Sequence, residues 1–151
     1  MATNKGKKWD RRFLALAQFV AQWSKDPSTQ TGSVIVGPDN RIVSTGYNGF
    51  PRKVKDSSKR LKDRDLKYKL IVHAEQNALL FARESVVGCR MYIWPFMPCS
   101  RCAGIIIQSG IAEIIAPVSD NPRWKDDFKI SERILFGEAE IKLRLLDIDL
   151  D

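Results

Sequence analysis

The residues of this chain that could do chemistry are concentrated in two short segments, His73-Ala-Glu75 and Pro98-Cys99-Ser-Arg-Cys102. A catalytic zinc site takes three protein ligands and leaves a fourth position for water, and one imidazole with two thiolates meets that requirement. Both segments are predicted to open helices, and the positive field at a helix amino terminus favours thiolate over thiol. The pattern therefore predicts one catalytic Zn²⁺ per subunit, held by His73, Cys99 and Cys102.

Glu75 follows the predicted ligand His73 by two residues and is not needed as a ligand itself. Zinc lowers the pKa of a bound water to about 7, and a nearby carboxylate can take the proton that is released. The order H-x-E followed by P-C-x-x-C is the signature of zinc-dependent nucleobase deaminases, in which this Glu is the general acid and base. We therefore expect hydrolytic attack at C4 of a cytosine, with Glu75 as the catalytic residue.

The same residues allow three alternatives to a catalytic zinc site. A Cys-x-x-Cys pair can also be a redox pair or half of a closed structural zinc site. His73 is the only histidine and Cys89 the only other cysteine, so a closed site would have to recruit Cys89, which we expect to be a small buried hydrophobe. A zinc-stabilised binding module without activity is the third alternative, and Glu75 argues against it because a structural site needs no base.

The elements that must position these residues follow from the periodicity of apolar side chains. Helices are predicted at 10–23, 74–83, 100–109 and 129–136, and strands at 33–36, 41–44, 89–93, 113–116 and 141–146. The first helix is expected to bury Phe13, Leu16, Ala17, Val20 and Trp23, and the stretch 52–69 to form a long loop with a short helix. The alternation predicts parallel pairing through crossover helices. The expected fold is α/β, with three α/β/α layers and a mixed sheet of roughly five strands.

Length, composition and charge limit the classes of protein that this chain can belong to. Its 151 residues, 44% hydrophobic and 28% charged, are typical of one soluble globular domain, so residues 1–151 are taken as a single zinc-dependent deaminase domain. No apolar run approaches the roughly 20 residues of a membrane-spanning helix, and no signal peptide is evident, which predicts a cytoplasmic protein without a membrane partner. The net charge of +7 favours phosphate-bearing partners, from a nucleotide to a nucleic acid.

Beyond its metal motifs, the sequence resembles the deoxycytidylate (dCMP) deaminase family within the cytidine deaminase superfamily. The resemblance covers nearly the whole chain and rests on the blocks Ser24-Lys-Asp-Pro27, Gly32-Ser-Val-Ile-Val36, Gly46-Tyr-Asn-Gly-Phe-Pro51, His73-Ala-Glu-Gln-Asn-Ala78, Pro98-Cys-Ser-Arg-Cys-Ala103 and Ile107-Gln-Ser-Gly-Ile111. It implies deamination of dCMP to dUMP and a cytidine deaminase-like fold. It also implies homo-oligomers, with a hexamer favoured, and dCTP or dTTP as effectors.

The resemblance implies a set of substrate-binding residues as well. In the family, the asparagine of the Gly-Tyr-Asn-Gly-x-Pro block contacts the deoxyribose, so Asn48 is the corresponding residue unless the block is only a turn that ends a hairpin. Ser24 and Ala74, which belong to two of the other blocks, are expected to line the same site.

Two departures from the family leave the exact substrate open. The segment before Pro98 is one residue longer than in many members and contributes Trp94 and Phe96, which either line the base pocket or pack the core beneath it. After the fourth strand, Arg123 and Trp124 stand where many members have a tyrosine and acidic residues; they either reach a phosphate and stack on a base or lie at a subunit contact. An altered pocket wall keeps dCTP and 5-modified dCMP as alternative substrates.

Residues 52–69 contain nine Lys or Arg and three Asp. This stretch is either a surface that holds the phosphate of a substrate or effector, or a solvated charged face. The positive charge also supports a nucleic-acid-editing deaminase that acts on a flipped-out base. No aromatic and basic surface for stacking successive bases is evident, however, and the Gly-Tyr-Asn-Gly-x-Pro block resembles mononucleotide enzymes. A small-molecule nucleotide is therefore the expected partner, and a nucleic acid is not.

Overall fold

The computed structural model describes residues 4–150, which form a mixed sheet with the strand order β2-β1-β3-β4-β5. The strands are β1 (Gly32–Val36), β2 (Ile42–Tyr47), β3 (Arg90–Trp94), β4 (Glu113–Pro117) and β5 (Lys142–Leu146). Strand β1 pairs antiparallel with both β2 and β3, whereas β3, β4 and β5 run parallel. The predicted hairpin, the parallel crossovers and the mixed sheet are confirmed.

The helices are α1 (Asn4–Ala21), α2 (Ser58–Lys62), α3 (Arg64–Leu70), α4 (Ala74–Phe81), α5 (Ser100–Ser109) and α6 (Lys125–Lys129), which continues as a π-helix over Ile130–Phe136. The side chains of β3 alternate between two apolar clusters, one on each face of the sheet. Tyr92 packs with Phe13 of α1, whereas Met91 packs with Ala78 of α4 and Ile106 of α5. Helices thus cover both faces, as a three-layer α/β/α fold requires. Among the described residues, no helix is both long enough and apolar enough to cross a membrane.

Several predicted elements have different bounds in the structure. Helix α1 ends at Ala21, because the following amides bond to carbonyls three residues back, as in a tight 3₁₀ turn. That turn places Trp23 at the surface, 52% exposed, so Trp23 is not the core residue that its spacing predicts. The basic stretch holds two short helices instead of one, because both Ser57 and Asp63 accept hydrogen bonds as N-caps. The last helix begins at Lys125, four residues earlier than predicted.

A buried carboxylate ties α1 to the sheet on the face opposite the predicted zinc ligands. Asp10 is 4% exposed, and it accepts hydrogen bonds from the Tyr92 hydroxyl at 2.7 Å and from two Arg144 nitrogens at 2.6 and 3.0 Å. Burial by itself raises the pKa of Asp10, but these hydrogen bonds lower it overall below the ordinary value of 3.8. The ionised form therefore stabilises the fold.

Replacing this carboxylate, Asp10→Asn, is expected to lower the free energy of unfolding by about 2–3 kcal/mol at pH 7, because an amide cannot accept all three bonds. The contribution of Asp10 is complete above pH 3.8 and is lost as the pH falls through the lower folded-state value. The difference between the wild type and Asp10→Asn should therefore be constant from pH 7 to about 4.5 and shrink below that. Urea unfolding at each pH measures this difference in the free energy of unfolding. Equal stability of the two proteins at pH 7 would contradict the stabilising role of the Asp10 carboxylate.

Candidate metal centre and nucleotide pocket

The two segments that carry the predicted ligands both lie at the start of helices. His73 is the N-cap residue of α4, and Cys99 is the N-cap residue of α5, each with extended backbone angles. Cys102 follows Cys99 by three residues within the first turn of α5, which brings the two sulfurs to the same side of that helix. The prediction that both segments open helices is confirmed.

The three predicted ligand atoms converge on one point. The Nδ1 atom of His73 lies 3.2 Å from the sulfur of Cys102 and 3.5 Å from the sulfur of Cys99, and all three atoms lie within 4.8 Å of one another. A tetrahedral zinc with bonds of about 2.0–2.3 Å requires ligand atoms about 3.5–3.8 Å apart. The three donor atoms are therefore close enough together to bind one zinc ion. Cys89 is instead buried in an apolar cluster, as expected for a small hydrophobe.

The two cysteines differ strongly in proton affinity. A hydrogen bond from Cys102, reinforced by one from His73, lowers the pKa of Cys99 to about 4. The same hydrogen bond to the Cys99 thiolate, together with burial, raises the pKa of Cys102 above its ordinary value. The site thus holds one thiolate before the second thiol loses its proton, and the anionic sulfur suits a divalent cation.

Glu75 lies in the first turn of α4, where it is only 5% exposed. Burial raises the pKa of its carboxyl group, and the neighbouring His73 partly opposes that effect. Its side chain lines the same pocket as His73 and Cys99. A carboxyl group with a raised pKa beside a metal site can both accept and donate a proton near neutral pH.

The pocket above these residues has an empty volume of about 670 Å³, part of which is open to solvent. Three lining residues belong to the metal centre and are called the floor of the pocket, namely His73, Glu75 and Cys99. The apolar lining, called the wall, comprises Ile71, Ile93, Phe96, Met97 and Trp124. The polar lining, called the polar end, comprises Asp26, Ser28, Thr29, Thr31, Asn48, Lys67, Tyr68 and Arg123.

Four of the seven predicted substrate-binding residues line this pocket, namely Asn48, Phe96, Arg123 and Trp124. Among residues 4–150, the pocket lining includes none of Ser24, Ala74 and Trp94. Trp94 follows Ile93 in β3, and alternation places it on the α1 face, away from the floor of the pocket. Ser24 is buried and its hydroxyl donates to the carbonyl of Asn48 at 2.8 Å, while Ala74 is fully buried.

The side-chain amide of Asn48 is hydrogen-bonded to the loop that precedes β1. Its oxygen accepts from the amide of Thr31 at 2.9 Å, and its nitrogen donates to the carbonyl of Thr29 at 3.0 Å and to Asp26 at 3.3 Å. Asn48 therefore shapes the polar end of the pocket by ordering residues 26–31.

The polar end of the pocket contains a buried ion pair that is not among the site residues predicted from the sequence. The ammonium of Lys67, with its side chain 5% exposed, donates to Asp26 at 3.0 Å and to the hydroxyl of Ser28 at 3.2 Å. Lys67 belongs to a stretch with nine basic residues, and nothing in its local pattern distinguishes it from the exposed ones. Lys67 lies in α3, eight residues before Glu75 of α4, and only the packing of these two helices brings both residues to the same pocket.

Comparison with known proteins agrees with this site. The family model of the cytidine and deoxycytidylate deaminase zinc-binding region matches residues 7–117. A deaminase of Aliivibrio fischeri, in the luxG 3′ region, is 41% identical over 146 residues, which are 95% of this chain and 97% of that protein. The deoxycytidylate deaminase of Homo sapiens is 40% identical over 142 residues, 90% of this chain and 78% of that protein.

Among solved structures, the dCMP deaminase of the cyanophage S-TIM5, in complex with dCMP and dUMP, has the same fold. Its TM-score is 0.74 at 19% identity, with 97% of this chain and 100% of that chain covered. The family match spans both segments that form the metal centre. The chain therefore belongs to the cytidine and deoxycytidylate deaminase zinc-binding family.

Proposed function

We propose that this protein deaminates dCMP to dUMP, with His73, Cys99 and Cys102 as the ligands of one zinc ion per subunit and Glu75 as the catalytic residue. The observation that carries the proposal is the position of Glu75, a buried carboxyl group beside three convergent zinc donors in a pocket that opens to solvent. When bound, zinc makes water a strong nucleophile near neutral pH. A purely structural metal site has no use for a carboxyl group with a raised pKa.

The reaction requires one group that moves protons from the attacking water to ring N3 and to the exocyclic nitrogen. Glu75 accepts the proton of the attacking water as the bond between oxygen and C4 forms, and it delivers that proton to ring N3. It then transfers the second proton of the attacking oxygen to the exocyclic nitrogen, so that the C4–N bond breaks and ammonia leaves. Because burial raises its pKa, Glu75 can hold a proton between these transfers and still release it.

The shape of the pocket supports a nucleoside monophosphate as substrate. Phe96 and Trp124 provide aromatic surface near the floor, where a cytosine ring has to lie for C4 to approach Glu75. The polar end offers the hydroxyl of Ser28 and the cationic groups of Lys67 and Arg123, which suit a phosphate. Since Lys67 is already paired with Asp26, the net positive charge at this end is small, and it matches one phosphate better than three.

Oligomerisation and regulation belong to the same proposal, with a hexamer favoured and dCTP and dTTP as effectors. An aromatic surface cluster of Phe19, Trp23 and Tyr47, with ring centroids 5.7 and 6.0 Å apart, supports subunit contact, because exposed apolar patches mark interaction sites. Sedimentation velocity should show one species several times heavier than the monomer. A cytoplasmic location is also proposed, and fractionation of the source cells tests it.

The zinc-loaded protein is to be incubated separately with dCMP, deoxycytidine, dCTP, 5-methyl-dCMP, dAMP and RNA, each with and without dCTP or dTTP as effector. Loss of the amino group is followed by chromatography. We expect dCMP to react fastest, with kcat/KM for deoxycytidine lower by a factor of about ten to a hundred, because charge-assisted hydrogen bonds to the phosphate are lost. Deamination of dAMP or RNA with no reaction of any cytosine mononucleotide would contradict the proposal.

A further inference from the structure

Helix α5 begins after its N-cap residue Cys99, whose sulfur faces the metal centre, 3.5 Å from Nδ1 of His73. The first amides of a helix have no acceptor within it, and an N-cap side chain reaches only the second or third of them. The first amide of α5, that of Ser100, therefore needs an acceptor from elsewhere in the chain.

The missing acceptor is supplied by a residue that is distant in the sequence. One carboxylate oxygen of Asp127 accepts from the amide of Ser100 at 2.8 Å, and the other accepts from the hydroxyl of Ser100 at 2.7 Å. Asp127 follows Ser100 by 27 residues and belongs to α6. A carboxylate at a helix amino terminus also interacts favourably with the helix dipole.

Asp127 is joined to the pocket wall by the residues around it. Trp124, the residue before α6, stacks on Phe128 with centroids 6.1 Å apart and an angle of 15°. Phe128 in turn packs on Phe96 at 5.4 Å. Trp124, Phe96 and the adjacent Arg123 all line the pocket. The contact between Asp127 and Ser100 is therefore the polar link between this wall and the helix that carries both cysteines.

We infer that Asp127 is a positioning residue, which caps the first amide of α5 and thereby holds the wall formed by Arg123 and Trp124 at a set distance from the metal centre. The identity of the nucleotide rests on the proposed function, whereas the link between wall and helix does not. Asp127 touches neither the donor atoms nor Glu75 in any hydrogen bond of the structure. Its loss should therefore impair nucleotide binding more than the proton transfers.

The kinetic test compares Asp127→Ala with Asp127→Asn, Ser100→Ala and the matched control Asp126→Ala, in which an exposed neighbour is replaced. Asp127→Ala should raise KM for dCMP about five- to tenfold, the size of a lost cap, with kcat changed less than twofold and one zinc per chain retained. Asp127→Asn, which keeps one acceptor oxygen, and Ser100→Ala, which removes one donor, should each raise KM about threefold, and Asp126→Ala should leave it unchanged. A lower melting temperature with an unchanged KM in all three variants would overturn the inference.

A second measurement does not depend on activity. The protein is labelled with 5-fluorotryptophan, and the four resonances are assigned by single Trp→Phe variants. In Asp127→Ala the ¹⁹F resonance of Trp124 should shift and broaden, while those of Trp9 and Trp23 stay in place. An unchanged Trp124 resonance would overturn the inference even in an active enzyme. A shifted resonance in a protein that does not deaminate dCMP would support the positioning role and count only against the proposed function.

Discussion

Replacing Glu75 with alanine is expected to abolish ammonia release from dCMP while zinc and the fold are retained. In the proposed reaction Glu75 relays two protons, one from water to ring N3 and one from the attacking oxygen to the exocyclic nitrogen. General acid and base catalysis by one side chain contributes about 10²- to 10⁴-fold. We expect kcat/KM to fall at the upper end of that range because the only other acid lining the pocket within residues 4–150, Asp26, is paired with Lys67 at 3.0 Å. Enzymatic assay of released ammonia and zinc analysis on the same preparation measure both effects.

Two further variants make this test specific. Glu75→Gln keeps the volume of the side chain in a position that is 5% exposed, so it separates loss of the proton carrier from a packing defect and should be about as inactive as Glu75→Ala. Glu84→Ala removes an exposed carboxylate paired with Arg41 at the surface and should leave activity unchanged. Full turnover by Glu75→Ala with zinc bound would contradict the mechanism.

Replacing Cys102 with alanine is expected to remove both the metal and the activity. Only one imidazole and one thiolate then remain of the three donors that converge in the structure, and zinc sites need at least three protein ligands for tight binding. Zinc content should fall from one per chain to below about a tenth, and deamination of dCMP should become undetectable, because water is no longer activated. The melting temperature should fall as well, since a ligand that binds only the folded chain stabilises it.

Cys89→Ala is the matched control for this variant. Both cysteines are buried, Cys89 at 2% exposure and Cys102 at 0%, so both variants lose a buried sulfur, but only Cys102 belongs to the donor group. Cys89→Ala should keep one zinc per chain and near wild-type activity. Retention of zinc and activity by Cys102→Ala, or equal loss of zinc in the two variants, would contradict the ligand assignment.

Much of the fold is predictable from the sequence because its elements depend on local periodicity. The segments around β3 and β4 are short apolar runs, and the spacing of α5 is that of an amphipathic helix, so their bounds agree with the structure to within one residue. Periodicity was not sufficient in the first helix, which spans Asn4–Ala21 and leaves Trp23 exposed. Other predictions that differ concern segments without a clear period. The stretch 52–69 is polar throughout, and its two helices depend on the capping contacts of Ser57 and Asp63.

The proximity of the three donors was likewise predictable. His73 directly precedes α4 and Cys99 directly precedes α5, and both helices connect strands of the same sheet. Cys102 lies one turn after Cys99. The amino ends of such helices meet at one edge of the sheet, because parallel crossovers repeat the same direction. Residue type, spacing and order therefore contain enough information to predict a zinc centre with a carboxyl group beside it.

The metal chemistry, the reaction type and the layered α/β architecture are thus predictable from the sequence, since they follow from local spacing and periodicity. The other side chains of the pocket are brought together by tertiary contacts. Alternation along β3 turned Trp94 away from it, while a long-range ion pair brought Lys67 to Asp26. Long-range contact also made Asp127 the cap of α5. Such contacts are selected by the packing of distant elements and by the cost of leaving buried polar groups unpaired, neither of which has a period that can be recognised along the chain.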